Sequence, residues 1–341
     1  MNTALSSIHL KDEGELIAAL PSLFAFHPVD SLIAMVLRDG CPGKVVVSLR
    51  TDLPPPRHRR ALAHQLLPRL SAESGAVVLL VVGGGHADPE PPQRGLIDCL
   101  TSVLATEDVA VAEAIWAAGT TEGSRWVDYD HPEITGTVSD PRASPLAVAG
   151  AAVGYVTYPT RADLFAVLAP HDPAAQTRRA ALLERATAEL DPAEDREDRA
   201  RRDLLLVNRA VIAAHDRPAP LSDDEVVALT MALSNSWVRD MSLVFVSGPH
   251  RDAAERLWTE LTRAAPAPDR AQAATLLAYS AYVRGDGALA SVALDQAQTA
   301  DPDHCLASLV RSALDNALPP ATLASLALTH SHPSTTPDGP A

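Results

Sequence analysis

Lysine is nearly absent from this 341-residue sequence. Only Lys11 and Lys44 occur, and arginine supplies the rest of the 28 basic residues. Acidic residues number 43, which gives a formal net charge of −15 at pH 7. Because proteins bind nucleic-acid phosphates through clustered positive charge, this balance argues against an extended nucleic-acid surface. We therefore expect no nucleic-acid partner.

Cysteine and long apolar runs are also scarce. The three cysteines, Cys41, Cys99 and Cys305, have no metal-ligand spacing, and an odd number is typical of reduced thiols. The longest apolar runs, such as residues 76–82, are far shorter than the ~20 residues that span a membrane. The first residues lack the basic region and apolar core of an export signal. We expect a cytoplasmic protein with no membrane partner.

Catalytic motifs are missing as well. The sequence contains no HExxH, no GxSxG, no kinase motif set and no paired Cys/His spacing. Gly83-Gly84-Gly85-His86 follows a predicted strand and precedes a predicted helix, which is the setting of a phosphate-binding loop. It lacks the lysine of a P-loop and the spacing of a dinucleotide-binding loop. The favoured interpretation is a flexible surface loop, and the sequence identifies no cofactor.

The first half of the chain alternates segments typical of strands and of helices. This alternation predicts an α/β domain over residues 1–171, with a mixed, partly parallel sheet and flanking helices. Apolar runs at 31–37 and 44–50, separated by RDGCPG, predict a β-hairpin. Pro68 is expected to kink or end the second predicted helix. The remaining predicted elements are helices at 12–20, 57–72, 93–105 and 161–168, strands at 76–82 and 109–117, and a closing strand or hairpin at 150–157.

The second half is predicted to be all helical. Residues 172–203 are rich in arginine, aspartate and glutamate, which predicts a solvated, charged helical connector. A helical domain follows over 204–330, and Ser222-Asp223-Asp224-Glu225 has the form of a capping box. Residues 331–341 are expected to be a disordered tail.

Residues 274–302 predict a tetratricopeptide-like helical hairpin. Pro302 would be the closing proline of the repeat, and Pro268 lies 34 residues upstream, which is the repeat period, although the upstream copy is otherwise degenerate. Small or apolar residues fall where this repeat expects them, at Ala278, Ala281, Gly285, Ala290, Leu294 and Ala297. Because stacked helices leave a concave groove, we expect this domain to bind a protein partner or a second copy of the chain.

Four segments of the chain carry a family resemblance. They are ALPSLFAFHPVDSLIAMVL at 19–37, SLRTDLP at 48–54, Arg-Trp at 125–126 and YVRGDGALASVALDQAQTADPDHCLASLV at 282–310. Together they resemble a domain-of-unknown-function family common in high-GC Gram-positive bacteria, over roughly residues 7–320. The resemblance implies one recurring unit and names no activity, fold or ligand. Many relatives carry clustered cysteines just after the Arg-Trp, whereas this chain has DYDHPEITGTVSDP there.

The corner His27-Pro28-Val29-Asp30-Ser31 is the first candidate site. Asp30 or Ser31 can hydrogen-bond free backbone amides, so a structural turn needs no substrate. The alternative makes His27 a base or ligand, with Asp30 or Ser31 beside it. The amino end of a strand is usually the wrong edge of an α/β sheet for a site. The turn is therefore favoured.

Arg50 and Asp52 are the strongest candidates for ligand binding. They end a predicted inner strand, where ligands of α/β proteins bind, and arginine can hold a phosphate or carboxylate with two hydrogen bonds. The alternative is an Arg–Asp ion pair that fixes the following loop. Arg125 and Trp126 are a second pair, which either grips a planar ligand or places a core tryptophan beside a solvated arginine.

A metal site is not expected from this sequence. Asp128, Asp130, His131 and Glu133 supply oxygen and nitrogen ligands within six residues, but Pro132 and the polar surroundings favour a solvated acidic turn.

These patterns predict a non-catalytic binding protein. The α/β domain would bind a small anionic ligand or a peptide near Arg50, Asp52 and Arg125, and the helical domain would bind a protein. The alternative is a hydrolase or transferase that uses His27 with Asp30 or Ser31 in a cleft between the domains.

Overall fold

The computed structural model describes residues 12–38, 45–71, 74–88, 90–152, 155–170, 172–191, 193–316 and 318–330. It divides into two compact units, Met1–Asp163 and Leu164–Ala341. The division lies between Asp163 and Leu164, whereas composition predicted a boundary after residue 171, and that boundary stays a prediction. The predicted tail at 331–341 lies outside the described residues. In the part of the chain that is described, no helix is both long enough and apolar enough to cross a membrane.

The N-terminal unit is built on a six-stranded mixed sheet. In chain order the strands are β1 (Ser31–Arg38), β2 (Val45–Asp52), β3 (Ser74–Val82), β4 (Ala110–Ala117), β5 (Arg125–Asp128) and β6 (Thr135–Thr137), and their order in the sheet is β2-β1-β3-β4-β5-β6. Within the described residues, β3 and β4 are the parallel pair, and the other neighbours are antiparallel. The predicted partly parallel sheet and the β1–β2 hairpin are confirmed.

Helices cover both faces of this sheet. Those packed against it are α1 (Glu13–Phe24), α2 (Arg59–Ser71) and α3 (Arg94–Leu104). Two further helices follow in the chain, α4 (Pro145–Ala152) and α5 (Arg161–Leu168), and the division between the units falls within α5. Strand residues alternate between two apolar cores because successive side chains point to opposite faces. One core joins Leu32 and Leu79 to α2 and α3, and the other joins Ile33 and Leu80 to α1.

The predicted strand or hairpin at 150–157 is wrong. Residues 145–152 form α4, whose sequence PLAVAGAA is rich in alanine, the best helix former. Two short strands, β5 and β6, complete the sheet instead. The sequence pattern does not predict them because they lie in a polar segment. Pro68 lies inside α2, which continues to Ser71, so it does not end the helix at that point.

The C-terminal unit is all helical. Its further helices are α6 (Pro173–Ala188), α7 (Arg196–Ala213), α8 (Asp223–Ser234), α9 (Ser236–Met241), α10 (Arg251–Ala264), α11 (Arg270–Arg284), α12 (Gly287–Ala300), α13 (Cys305–Asp315) and α14 (Pro320–His330). The capping box at the start of α8 is confirmed, because Ser222 and Glu225 each accept a hydrogen bond from the other's backbone amide. An all-helical region thus follows the mixed sheet, as predicted.

The charged segment at 172–203 forms α6 and the first part of α7. Gln176 on α6 donates to the backbone carbonyls of Arg263 and Ala264, at 2.9 and 3.0 Å. Arg179 forms an ion pair with Asp223 at 2.7 Å. Many of the charges in this segment therefore pair within the helical unit.

Helices α11 and α12 form a tight hairpin around small side chains. Ala278, Ala281, Ala290 and Ala297 are all fully buried. Gly285 ends α11 with a left-handed φ of +92°, a conformation that glycine adopts without strain. Its likeness to a tetratricopeptide repeat stays a prediction.

Candidate functional site

The strand order brings the candidate loops to one edge of the sheet. Because β1 is antiparallel to β3, Ser31 at the start of β1 lies beside Val82 at the end of β3. Asp52 at the end of β2 pairs with Ser31, and Ala117 at the end of β4 pairs with Val82. We call this edge, where the parallel strands β3 and β4 end, the carboxyl edge. The expectation that the His27–Ser31 corner lies at the wrong edge is therefore wrong.

Two chain connections leave the carboxyl edge toward opposite faces of the sheet. The α1–β1 connection, residues 25–30, arrives from the face that α1 covers, and the β3–α3 connection, residues 83–93, departs to the face that α3 covers. In open α/β sheets, ligands usually bind where neighbouring connections diverge in this way.

Asp30 links the α1–β1 connection to the β3–α3 connection. Its Oδ1 accepts a hydrogen bond of 2.7 Å from the backbone amide of Gly84, and its carbonyl accepts one of 2.9 Å from Leu53. Asp30 has a left-handed φ of +44°, which aspartate tolerates better than most residues. A carboxylate thus already occupies the backbone donor that the glycine loop presents at the end of β3.

The glycine loop is tied down at several points. Gly83 donates to the carbonyl of Ala117 and accepts from Nε1 of Trp116, both at 2.8 Å. Nε2 of Gln93 donates to the carbonyl of Gly84 at 3.1 Å. All of Gly83, Gly84 and Gly85 have positive φ, which explains the run of three glycines. The loop is therefore a hydrogen-bonded turn, and its predicted flexibility stays a prediction.

The contacts of Arg50 are internal to the unit. Its Nε donates to Oγ of Ser31 at 3.0 Å, its Nη2 lies 2.5 Å from Oδ1 of Asp52, and its guanidinium lies 5.6 Å from the ring centroid of Phe26. The hydroxyl of Ser31 itself donates to the carbonyl of Val29 at 2.8 Å. The Arg50 side chain is only 16% exposed, whereas that of Asp52 is 84% exposed. The ion pair that the sequence left as an alternative is formed.

Among the described residues, the imidazole of His27 forms no hydrogen bond with Asp30 or Ser31. Its Nδ1 lies 2.9 Å from Oγ1 of Thr120, which is buried in the loop after β4. Burial lowers the pKa of His27 below its ordinary value of 6.5. A neutral imidazole can accept a proton, and the hydroxyl beside the imidazole of His27 at this edge is that of Thr120.

Arg125 and Trp126 do not join this group. They begin β5, four strand spacings from β2, which places them roughly 19 Å from Arg50. Trp126 is buried against Gly136, whereas Arg125 is exposed. As consecutive strand residues they point to opposite faces, so the pair cannot grip one planar ligand between its side chains.

The acidic segment after β5 is a capped turn. Oδ1 of Asp128 accepts from the amides of Asp130 and His131, at 2.8 and 2.7 Å, and Asp130 forms an ion pair with Arg94 at 3.0 Å. Across the described residues, no group of three or more His, Cys, Asp or Glu side chains could hold a metal ion. A cavity of about 320 Å³ lies beside the turn, lined by Glu90, Pro91, Arg94, Tyr129, Asp130 and Pro132.

Sequence reasoning missed one group of residues at this edge. The first turn of α2 and the residues before it read Arg57-His58-Arg59-Arg60, directly after the prolines that follow Asp52. Nη2 of Arg59 donates to Oε1 of Gln93 at 2.8 Å, and Gln93 in turn holds Gly84. The signal was available in the sequence, as four basic residues at a predicted helix start in an acidic protein.

Comparison with known proteins identifies the family and nothing beyond it. Neither the curated proteins nor the solved structures contain a match to this chain. A family model described as a domain of unknown function, DUF4192, matches residues 14–321. That match spans both units and most of the chain, so it bears out the resemblance carried by the four sequence segments. The chain belongs to the DUF4192 family of unknown function.

Proposed function

We propose that this protein is a binding protein without catalysis of its own, whose N-terminal unit holds a small anionic ligand or the carboxylate of a peptide at the carboxyl edge. The observation that carries the proposal is the guanidinium of Arg59, which donates to Gln93 beside the glycine loop and lies against the start of α3. A guanidinium at the start of a helix, beside the carboxyl ends of parallel strands, is suited to a carboxylate or phosphate of a ligand.

Neighbouring groups support an anion at this place. Gln93 links the glycine loop to Arg59, so one chain of hydrogen bonds runs from Asp30 through Gly84 and Gln93 to a guanidinium. Asp30 is exposed, so this edge of the sheet is open to solvent.

The peptide form of the proposal is supported by β2. This eight-residue strand lies at the end of the sheet order, so its outer side has no neighbouring strand among the described residues. An extended peptide can add to such an edge by backbone hydrogen bonds. Its terminal carboxylate would then lie near the end of β2 at the carboxyl edge.

The helical unit is proposed to bind a protein partner or a second copy of the chain. The support is the α11–α12 hairpin, whose buried small residues are typical of stacked helical arrays with a concave groove. Sedimentation velocity over a hundredfold range of concentration tests self-association, and a sedimentation coefficient that stays constant counts against it.

A second candidate function rests on His27 and Thr120. Their 2.9 Å contact and the lowered pKa of His27 fit a general base beside a hydroxyl, as in a hydrolase or transferase. Asp30 and Ser31, which the sequence offered as partners of His27, are engaged by Gly84 and by Val29 and Arg50 instead. Turnover that is lost in both His27→Gln and Thr120→Val, with the fold retained, would replace binding by catalysis.

A thermal-shift screen tests the binding proposal. The panel contains carboxylates, amino acids, short peptides, nucleotides and phosphorylated metabolites, each with wild type, Gln93→Leu and the control Gln298→Leu on α12. A ligand at about 100 times its Kd stabilises the native state by about 2.7 kcal/mol, which raises Tm by several degrees. We expect a shift in wild type and the control that is reduced in Gln93→Leu. No shift with any anion contradicts the proposal.

A further inference from the structure

The residues Arg57, His58, Arg59 and Arg60, which we call the α2 basic cluster, stand out in a chain with a net charge of −15. Arg57, His58 and Arg60 are exposed, and Arg59 is half-buried. Within the described residues, none of the four forms an ion pair with a carboxylate, whereas Arg50 and Arg94 at the same edge do. Three arginines are thus left without a counter-charge at one place.

The guanidinium of Arg59 is held against the start of α3. An added Cβ at Gly95, in the first turn of α3, would lie 2.9 Å from Nη1 of Arg59. Its Nη2 donates to the neutral amide oxygen of Gln93. Its Nε is buried and has no hydrogen-bond partner among the described residues. A buried donor without an acceptor is costly, and an acceptor from outside the chain would reduce that cost.

The charge of the two helix ends favours an anion at this place. The amino end of a helix carries about half a positive charge, and acidic residues usually lie there. The first turns of α2 and α3 contain no acidic residue, and Gln93 supplies no side-chain cap to α3. Arg59 therefore adds a positive charge to two positive helix ends, and a bound anion would relieve the repulsion.

We propose, on the basis of the proposed function, that the anionic ligand of the carboxyl edge is phosphorylated, and that the α2 basic cluster holds its phosphate. Arginine binds phosphate with two parallel hydrogen bonds, and a dianion matches several unpaired guanidinium groups better than a single carboxylate does. The ligand class is thus a small molecule with a terminal phosphate or diphosphate group.

Isothermal titration calorimetry with inorganic phosphate, pyrophosphate and succinate tests this assignment, because succinate carries the charge of a dianion in two carboxylates. The proteins are wild type, the double variant Arg57→Ala/Arg60→Ala, Arg59→Gln, and the control Arg142→Ala, which removes an arginine that is 89% exposed on the same unit. Both residues of the double variant are exposed, so it is expected to fold even if Arg59→Gln does not.

We expect pyrophosphate to bind wild type and Arg142→Ala at least about tenfold more tightly than succinate, and the double variant to lose at least about tenfold of that affinity. Succinate binding as tightly as pyrophosphate would overturn the phosphate assignment and leave the proposed function standing. An equal loss in Arg142→Ala would overturn it as non-specific charge attraction. If phosphates do not bind, the assignment fails, and if no anion of the thermal-shift screen binds either, the proposed function fails with it.

Discussion

Replacing Asp30 changes two features of the carboxyl edge, which are the acceptor of one hydrogen bond and one backbone φ angle. The residue contributes the acceptor for the Gly84 amide and adopts a φ of +44°. Three substitutions separate these contributions. Asparagine keeps an acceptor and tolerates the left-handed region, glycine keeps the backbone and loses the acceptor, and alanine loses the acceptor and strains the backbone.

The expected losses in free energy of unfolding follow from these two terms. The hydrogen bond contributes about 1 kcal/mol at this exposed position, and a left-handed alanine costs roughly 1 kcal/mol more. Asp30→Ala should therefore destabilise the N-terminal unit by about 2 kcal/mol, Asp30→Gly by about 1 kcal/mol and Asp30→Asn by about 0.5 kcal/mol. The order is asparagine, glycine, alanine, from mildest to most severe.

Urea denaturation with 5-fluorotryptophan gives a separate signal for each unit. Trp116 and Trp126 report the N-terminal unit, and Trp237 and Trp258 report the helical unit as an internal reference. With an m-value of about 2 kcal/mol/M, alanine at position 30 should lower the N-terminal midpoint by roughly 1 M urea. The helical midpoint should not move. An alanine variant as stable as the asparagine variant would refute the assigned role of the Asp30 carboxylate.

Other contacts predict effects of the same kind. Arg284→Met removes two hydrogen bonds to the buried carboxylate of Glu255, and should cost the helical unit about 3 kcal/mol at pH 7 in urea denaturation. Burial raises the pKa of Glu255, so the folded state binds the proton first as the pH falls. The helical unit should therefore regain stability from pH 7 to 5. A free energy of unfolding that does not change with pH would contradict the burial argument. Burial lowers the pKa of His27, so the unfolded chain binds the proton first. Wild type should therefore lose stability as the pH falls below 6.5, and His27→Gln should lose less. Equal acid sensitivity of the two proteins would contradict this. Gly136→Ala places a Cβ 2.9 Å from the Trp126 ring and should lower Tm through a cost of about 1–3 kcal/mol, and an unchanged Tm would show that the ring moves freely.

Local sequence patterns predicted the structural elements that are determined by residues close together in the chain. The β1–β2 hairpin follows from two apolar runs around a turn sequence, and the α8 cap follows from the side chains of Ser222 and Glu225. The small residues of α11 and α12 are buried where helix spacing expects them. In each case the residues that cause the structure lie within a few positions of one another.

The order of the strands in the sheet determines which residues meet at the candidate site, and local sequence patterns do not predict that order. The antiparallel pairing of β1 with β3 reverses the direction of β1 and brings Asp30 to the glycine loop, 54 residues away. The same order separates Arg125 from Arg50 by four strand spacings. A sequence motif identifies candidate residues, and the strand order determines which of these residues lie at the same edge of the sheet.

The β5 and β6 strands show a second limit. They are four and three residues long, too short to show an alternating apolar pattern, and Trp126 packs against Gly136 on the neighbouring strand. Pairing in the sheet therefore completes strands that the sequence pattern does not predict. The opposite happened at 145–152, where alanine-rich sequence forms a helix on the surface of the unit.

The most direct test of an anion site at the carboxyl edge is an NMR titration of the protein labelled with ¹⁵N-glycine, using inorganic phosphate and then succinate. The chain has 17 glycines, of which Gly84, Gly85 and Gly95 lie at the site and Gly248 and Gly287 lie in the helical unit. We predict saturable shifts of the first three amides, with the other two unmoved. Shifts of equal size at all five, or none at millimolar anion, would contradict the proposed site.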